Sequence, residues 1–384
     1  MAHYHLQGSV PPKRHTQFRQ PDGSLYHEEI FSVAGFSGIS SLLYHTSAPA
    51  QASHFRVVEG TELKEHDAGA LTPHAYRCDA LVSDGSAIEA RRPLLFNDTV
   101  VVSFATTDVS MSDFYRNGLA DELVLVQSGS GTLHTQFGAL RFGPEELVLI
   151  PRGTIVQWEL DGPTRMLVVE TSDPLEIPSG LRNEFGQMLE RAMFCERDLR
   201  LPELGEPTVE RGPHLVQVKH GTKVTEVTLD EHPFDVVGWD GYVYPHVLPL
   251  ADIEPITGSL HQMPDVYQIL ATAGAAICVI PPHPLDYHPL AVPSPPHHTN
   301  VDSDEVMFLV SGTVPGRKAG ATGQLTFHPR GLTHGPKAGG YEASVGATHT
   351  DMTAFMIDTF QTLRPTTNAV EIEDPEYYRE WLVH

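Results

Sequence analysis

The chain has 384 residues, 40% of them hydrophobic, which is ample for packed cores in two domains of ordinary size. Its 25 basic and 49 acidic side chains leave a formal net charge of −24, which argues against nucleic-acid or anionic-membrane partners, because both need a basic surface. Cys78, Cys195 and Cys278 are an odd count without a CxxC pair, which excludes a disulfide framework and a thiolate metal site.

Residues 1–15 are polar with no apolar signal core, and no apolar run reaches transmembrane length, so a cytoplasmic protein is expected. The 31 prolines and 32 glycines punctuate short apolar segments along the whole chain, which predicts an all-β fold. Asp121-Glu122 opens an apolar strand closed by Ser128-Gly129. A second apolar run, Leu147-Val148-Leu149-Ile150, enters the turn Pro151-Arg152-Gly153, where proline fixes φ and glycine supplies a positive φ. Residues 179–198 carry Leu181, Phe185, Met188, Leu189 and Met193 at near-helical spacing, which predicts a linker helix. Residues 201–215, with Pro202, Pro207 and Pro213, read as a loop. The earlier order then repeats: Asp304-Glu305 opens an apolar strand closed by Ser311-Gly312, and Pro329-Arg330-Gly331 follows. Self-similarity in fixed order predicts a duplicated domain. A degenerate N-terminal barrel plus the linker helix is expected in residues 1–230, and a catalytic barrel in residues 231–384. Repeated short strands with such turns fit closed antiparallel barrels or jelly rolls.

The second copy carries the chemistry. Pro296-His297-His298-Thr299-Asn300 leads into Asp304-Glu305, and Gly323 is followed by His328-Pro329-Arg330-Gly331-Leu332-Thr333-His334. These stretches resemble the two cupin motifs, H-x-(H/N)-x4-E-x6-G and G-x5-P-x-G-x2-H. Two neutral imidazoles and one carboxylate on one face of a metal leave positions open for other ligands, a set that suits Fe(II). On this reading His298, Glu305 and His334 are the ligands, with His297 and Asp304 as alternatives for the first two. The first copy keeps Glu122, Gly129 and Pro151-x-Gly153, yet Val156 stands where His334 would, and residues 114–121 hold no histidine. That barrel is expected to be structural and Glu122 a satisfied polar group. His45, His328 and His349 are read as structural, and His328 has no recognisable partner. His283 and His288 are candidates to line the pocket, and Asn300 and Tyr341 to contact substrate.

Pro12-Lys13-Arg14-His15-Thr16-Gln17-Phe18-Arg19, Ser41-Leu42-Leu43-Tyr44-His45, Pro233 to Trp239 and His334-Gly335-Pro336 resemble homogentisate 1,2-dioxygenases, from near the N-terminus to beyond His334. The resemblance implies two cupin barrels with iron in the second, and trimers that pair into hexamers. It implies an extradiol-type cleavage of homogentisate by O2 to maleylacetoacetate, a step in tyrosine and phenylalanine breakdown. It also implies that a histidine in an H-x-x-P context, here His261-Gln262-Met263-Pro264, binds or deprotonates a ring hydroxyl, a role that an imidazole suits. The spacing His298-Thr299-Asn300-x4-Glu305 is one residue longer than the family's H-x-N-x3-E. That departure points to a divergent branch, whose substrate could be gentisate or another hydroquinone. A duplicated cupin that binds metal as a regulator is the alternative from outside the enzymes.

Overall fold

The computed structural model describes residues 3–67, 69–262, 266–313 and 322–382. Two sheets repeat one strand order. The first runs His246–Pro249, Glu146–Ile150, Asp121–Ser128, Thr164–Thr171, Val100–Thr107, Arg92–Phe96 and Arg364–Pro365. The second runs His74–Arg77, Gln324–His328, Asp304–Ser311, Thr353–Thr359, Ala275–Ile280 and Gln268–Ala271. The first six strands of one correspond in order to the six of the other, so the duplication read from the sequence is a duplication of topology.

The edges of the two sheets are exchanged. His246–Pro249, from the second half of the chain, pairs with Glu146–Ile150 and completes the first sheet. His74–Arg77, from the first half, pairs with Gln324–His328 and completes the second. At the far edges Arg364–Pro365 reaches Leu95 and Phe96, while Glu176 bridges Ala271. A division at residue 230 is therefore crossed in both directions by strands.

Period-two alternation sets what each sheet buries. Leu123, Leu125, Val306, Phe308, Ile357 and Phe327 share one core that lies between the two sheets. The alternate residues Val124, Val126, Ile150 and Val156 face a separate core inside the first barrel, with Trp158 and Phe142. That first barrel is closed by a seven-stranded sheet that includes Phe114–Asn117, Ile155–Leu160 and Arg211–His220. Opposite the second sheet, the described counterparts are two-stranded ladders, His298–Thr299 with Thr333–His334 and His283–Pro284 with His349–Thr350.

Residues 179–198 do not form the expected linker helix. Only the single 3-10 turns Ser179–Leu181 and Glu196–Asp198 are present. Asn183 Oδ1 accepts from the N–H groups of Phe185 and Gln187, both at 3.0 Å, and Gly186 takes φ 87°, so the chain reverses there. Local side-chain bonding of this kind competes with helix. Met188 and Met193 are buried while Phe185 is 86% exposed, so the apolar residues do not share one face. The stretch 201–215 is a loop only to residue 210. The strand Arg211–His220 begins inside it and accommodates Pro213 at a register shift between Arg211 and His214.

A four-stranded sheet joins His5–Gly8, Val236–Gly241, Ser40–His45 and His27–Ser32. It brings together two of the stretches singled out in the sequence. His45 Nδ1 lies 2.6 Å from Asp235 Oδ1, and its Nε2 lies 3.1 Å from Glu29 Oε2. Burial alone would lower the His45 pKa, but Asp235 and Glu29 outweigh it and push it up to about 9. Among the described residues no helix is long and apolar enough to cross a membrane.

Candidate metal centre

Backbone pairing brings the three expected ligands together. His298 and His334 are register partners in their two-stranded ladder, and Glu305 opens the neighbouring strand Asp304–Ser311. The turn before His334 is fixed from both sides. Gly331 takes φ 82° and its N–H donates to the Asn300 carbonyl at 3.1 Å. Asp304 Oδ1 accepts from the Arg330 backbone N–H at 2.9 Å and from its Nε at 3.1 Å, while Oδ2 accepts from the Leu363 N–H at 2.6 Å.

One ligand atom from each of His298, Glu305 and His334 can be chosen so that all lie within 4.8 Å of one another. His298 Nε2 is 3.4 Å from Glu305 Oε2, and His334 Nε2 is 3.3 Å from Glu305 Oε1. His298 Nδ1 sits 3.0 Å from the Pro296 carbonyl and His334 Nδ1 sits 3.2 Å from the Leu332 carbonyl. A carbonyl can only accept, so each Nδ1 donates there and each ring turns its Nε2 toward Glu305. The His334 Nε2 is buried without a hydrogen-bond partner, despite its approach to Glu305. Two imidazole Nε2 atoms converging on one buried carboxylate are a donor set that fits a divalent transition metal. Burial works to raise the Glu305 carboxyl, but His298, His328 and His334 outweigh it and hold it well below the usual range. Its hydrogen bond raises the His298 pKa, against burial.

The two alternatives left open by the sequence are separated here. His297 stacks on Tyr341 at a ring distance of 6.3 Å, outside the cluster. Asp304 is fully buried and its two oxygens serve Arg330 and Leu363.

The first barrel makes the comparison sharp. Asp121 repeats the Asp304 contacts, accepting from Arg152 N–H and Nε and from the Leu175 N–H. Glu122, the counterpart of Glu305, accepts a two-pronged pair of bonds from Arg91 at 2.9 and 2.8 Å, with Tyr115 Oη at 2.8 Å and Asn117 Nδ2 at 3.0 Å. Tyr115 and Val156 are register partners, as His298 and His334 are. A guanidinium occupies the position of the ligand set, and Glu122 is the satisfied polar group that was expected.

The remaining candidates make contacts of their own away from the three ligand atoms. His261 Nδ1 lies 3.4 Å from Asp286 Oδ2. Met263 and Pro264 of its motif lie outside the described residues. Among the described residues no hydrogen bond or ion pair links His261 to the triad. His288 is exposed, and its Nδ1 accepts from the Leu290 N–H at 3.1 Å. His283 Nε2 lies 3.0 Å from the Tyr267 hydroxyl. Tyr341 sits on the one-turn helix Gly340–Ala343 beside His297, and Asn300 is tied to the triad only through the turn at Gly331.

Two residues of the site escaped the sequence reading. His328, read there as structural and partnerless, is the register partner of Glu305. Its ring stacks on His334 at 4.4 Å, its Nδ1 is 3.3 Å from Glu305 Oε1, and its Nε2 is 3.1 Å from the Tyr377 hydroxyl. Asp358 pairs with Glu305 from the other side, in the strand Thr353–Thr359. Burial, with Glu305 adding to it, pushes the Asp358 carboxyl up to about 7. The available signal was a lone acid at the end of the apolar run Ala354-Phe355-Met356-Ile357.

Residues 86–250 match a family profile described as homogentisate 1,2-dioxygenase N-terminal. That match ends just past His246–Pro249, the strand that completes the first sheet. Over 384 residues the chain is 36% identical to SSO1533 of Saccharolobus solfataricus, which bears a provisional dioxygenase assignment, with 99% of each chain covered. Among solved structures, a cupin 2 conserved barrel domain protein from Leptotrichia buccalis overlaps 78% of this chain and 100% of its own, at 7% identity and a TM-score of 0.36. Protein YlbA of E. coli overlaps 79% of this chain and 95% of its own, at 7% identity and a TM-score of 0.30. Both overlaps are loose, and the fold described above rests on strand order.

Proposed function

The chain belongs to the homogentisate dioxygenase-like family, and from that premise we propose that it is an Fe(II)-dependent enzyme that opens the ring of homogentisate, or of a close hydroquinone relative, with O2. The observation that carries this is the convergence of two imidazole Nε2 atoms on one buried carboxylate. His298, Glu305 and His334 would hold the iron. When bound, Fe(II) supplies positions at which substrate and O2 meet and exchange electrons, so their reaction becomes effectively intramolecular.

The protein's own part is orientation and proton handling. The carbonyls of Pro296 and Leu332 keep both rings in the tautomer that offers Nε2. His328, stacked flat on His334, limits the rotation of that ring. His261 is proposed to take a ring-hydroxyl proton at Nε2, because its Nδ1 faces Asp286. Asn300, His288 and Tyr341 are proposed substrate contacts. With a net charge of −24, long-range steering does not bring an anionic substrate in, so these local donors must retain it. Ring opening beside the hydroxyl would give maleylacetoacetate, within tyrosine and phenylalanine breakdown. Assembly into trimers or hexamers belongs to the same proposal.

The test is oxygen uptake by anaerobically Fe(II)-loaded protein on adding homogentisate, with absorbance followed for the ring-opened product. Stoichiometric uptake with product supports the reading. No uptake with iron bound rejects homogentisate; uptake with gentisate instead would move the substrate within the hydroquinones.

A further inference from the structure

The two copies bury the same pair of acids and treat them differently. In the first sheet Glu122 and Glu170 are register partners, and in the second Glu305 and Asp358 are. Between the first pair lies a cation. Arg91 Nη1 is 2.9 Å from Glu122 Oε1 and 3.4 Å from Glu170 Oε1. Lys219 Nζ holds both Glu170 oxygens, at 2.5 and 2.6 Å. In the second pair the groups that face the glutamate are imidazoles. His298, His328 and His334 all gather on Glu305, and Asp358 Oδ1 is buried with no hydrogen-bond partner.

Strand parity places the Asp358 side chain on the barrel face that carries Glu305 and His328, because Ile357, Val306 and Phe327 face the core on the other side. Asp358 stands outside the group whose ligand atoms all fall within 4.8 Å, yet next to it. Its Oδ1 is thus a buried acceptor on the same face as the triad, and it lacks a donor.

We propose that Asp358 accepts a hydrogen bond from a ring hydroxyl of the substrate seated against His298, Glu305 and His334, and is a specificity-determining residue of this site. The inference deepens the ring-cleavage reading and rests on the triad being its metal centre. Its chemical content is selection for a hydroxyl over an ether. A phenolic hydroxyl satisfies the orphan oxygen. A methyl ether cannot donate, so it leaves a buried acceptor unpaired and is rejected.

The experiment compares wild type with Asp358→Leu, Asp358→Asn and Asp358→Glu, each loaded anaerobically with Fe(II). Iron per chain and the melting temperature are measured first. Affinity is then titrated for two hydroxyl probes, homogentisate and 4-nitrocatechol, and for a monomethyl ether of each. Asp358→Leu should keep its iron and bind both hydroxyl probes on the order of tenfold or more weakly. Its preference for hydroxyl over ether should collapse. Asp358→Glu, which offers the longer acid found at the matching position in the first sheet, should restore part of that preference. Asp358→Asn keeps the shape and controls for folding. The proposal is overturned if Asp358→Leu binds the hydroxyl probes within roughly twofold of wild type. It is also overturned if that variant loses iron and affinity for all four ligands together. Wild type that binds ethers as tightly as hydroxyl probes, or binds none of them, overturns it as well. If wild type binds 4-nitrocatechol in an Asp358-dependent way but takes up no oxygen with homogentisate, gentisate or other hydroquinones, the ring-cleavage assignment fails and Asp358 keeps its role.

Discussion

Glu122 and Glu305 sit at one position of a repeated strand, and the difference between them lies in what faces them. Glu122 meets the Arg91 guanidinium and Glu305 meets three imidazoles. Removing one member of a buried ion pair leaves the other charge stranded. Arg91→Met should therefore cost about 3–5 kcal/mol, and Arg91→Met combined with Glu122→Gln should recover part of it; thermal or urea denaturation measures both. His334→Ala should abolish iron retention and turnover, read by metal analysis of the purified protein, whereas full activity in an iron-free variant would reject the centre. His45 gives a pH dependence. Its pKa in the fold is about 9, above the ordinary value of 6.5, so the protonated ring contributes stability that is complete below about pH 6.5 and is lost as pH rises through about 9. The contribution is on the order of 3 kcal/mol, and His45→Gln should flatten the alkaline limb of a stability–pH curve. The triad was legible in the sequence because its spacing is set by two local turns. His328 and Asp358 were not, because whether a strand residue faces the site depends on partners brought in from elsewhere in the chain.

The strands at the sheet edges show where sequence reading ends. The repeat of Asp-Glu, apolar run and Pro-x-Gly exposed both barrels, since each copy writes its own turns. The exchange of His74–Arg77 and His246–Pro249 left no local mark, because pairing partners lie far apart in the chain. The helical spacing in residues 179–198 misled for the opposite reason: Asn183 and Gly186 turn the chain before a second helical turn could form. Tyr76 lies in one of the exchanged strands and is fully buried in the core between the sheets. Tyr76→Ala should cost about 3–5 kcal/mol. Although Tyr76 belongs to the first half of the chain, the loss should register in the second barrel as weaker iron retention. Calorimetry and metal analysis on the same sample would show whether the two fall together.

For the molecule as a whole, the shared core and exchanged edges predict a single cooperative unfolding transition in calorimetry, with no separate melting of the two halves. Residues 1–230 and 231–384 expressed apart should each lack an edge strand and remain unfolded or aggregate, and co-expression should recover iron-binding material. Two separate transitions would show that the exchange contributes little. The exchange also bears on how such a chain can change over time. A duplicated gene ordinarily leaves one copy free to decay and be deleted. Here the copy without the histidines still lends its sibling an edge and borrows one in return, so deleting it would unmake the half that carries the triad. The mutual loan turns a redundant copy into an indispensable one.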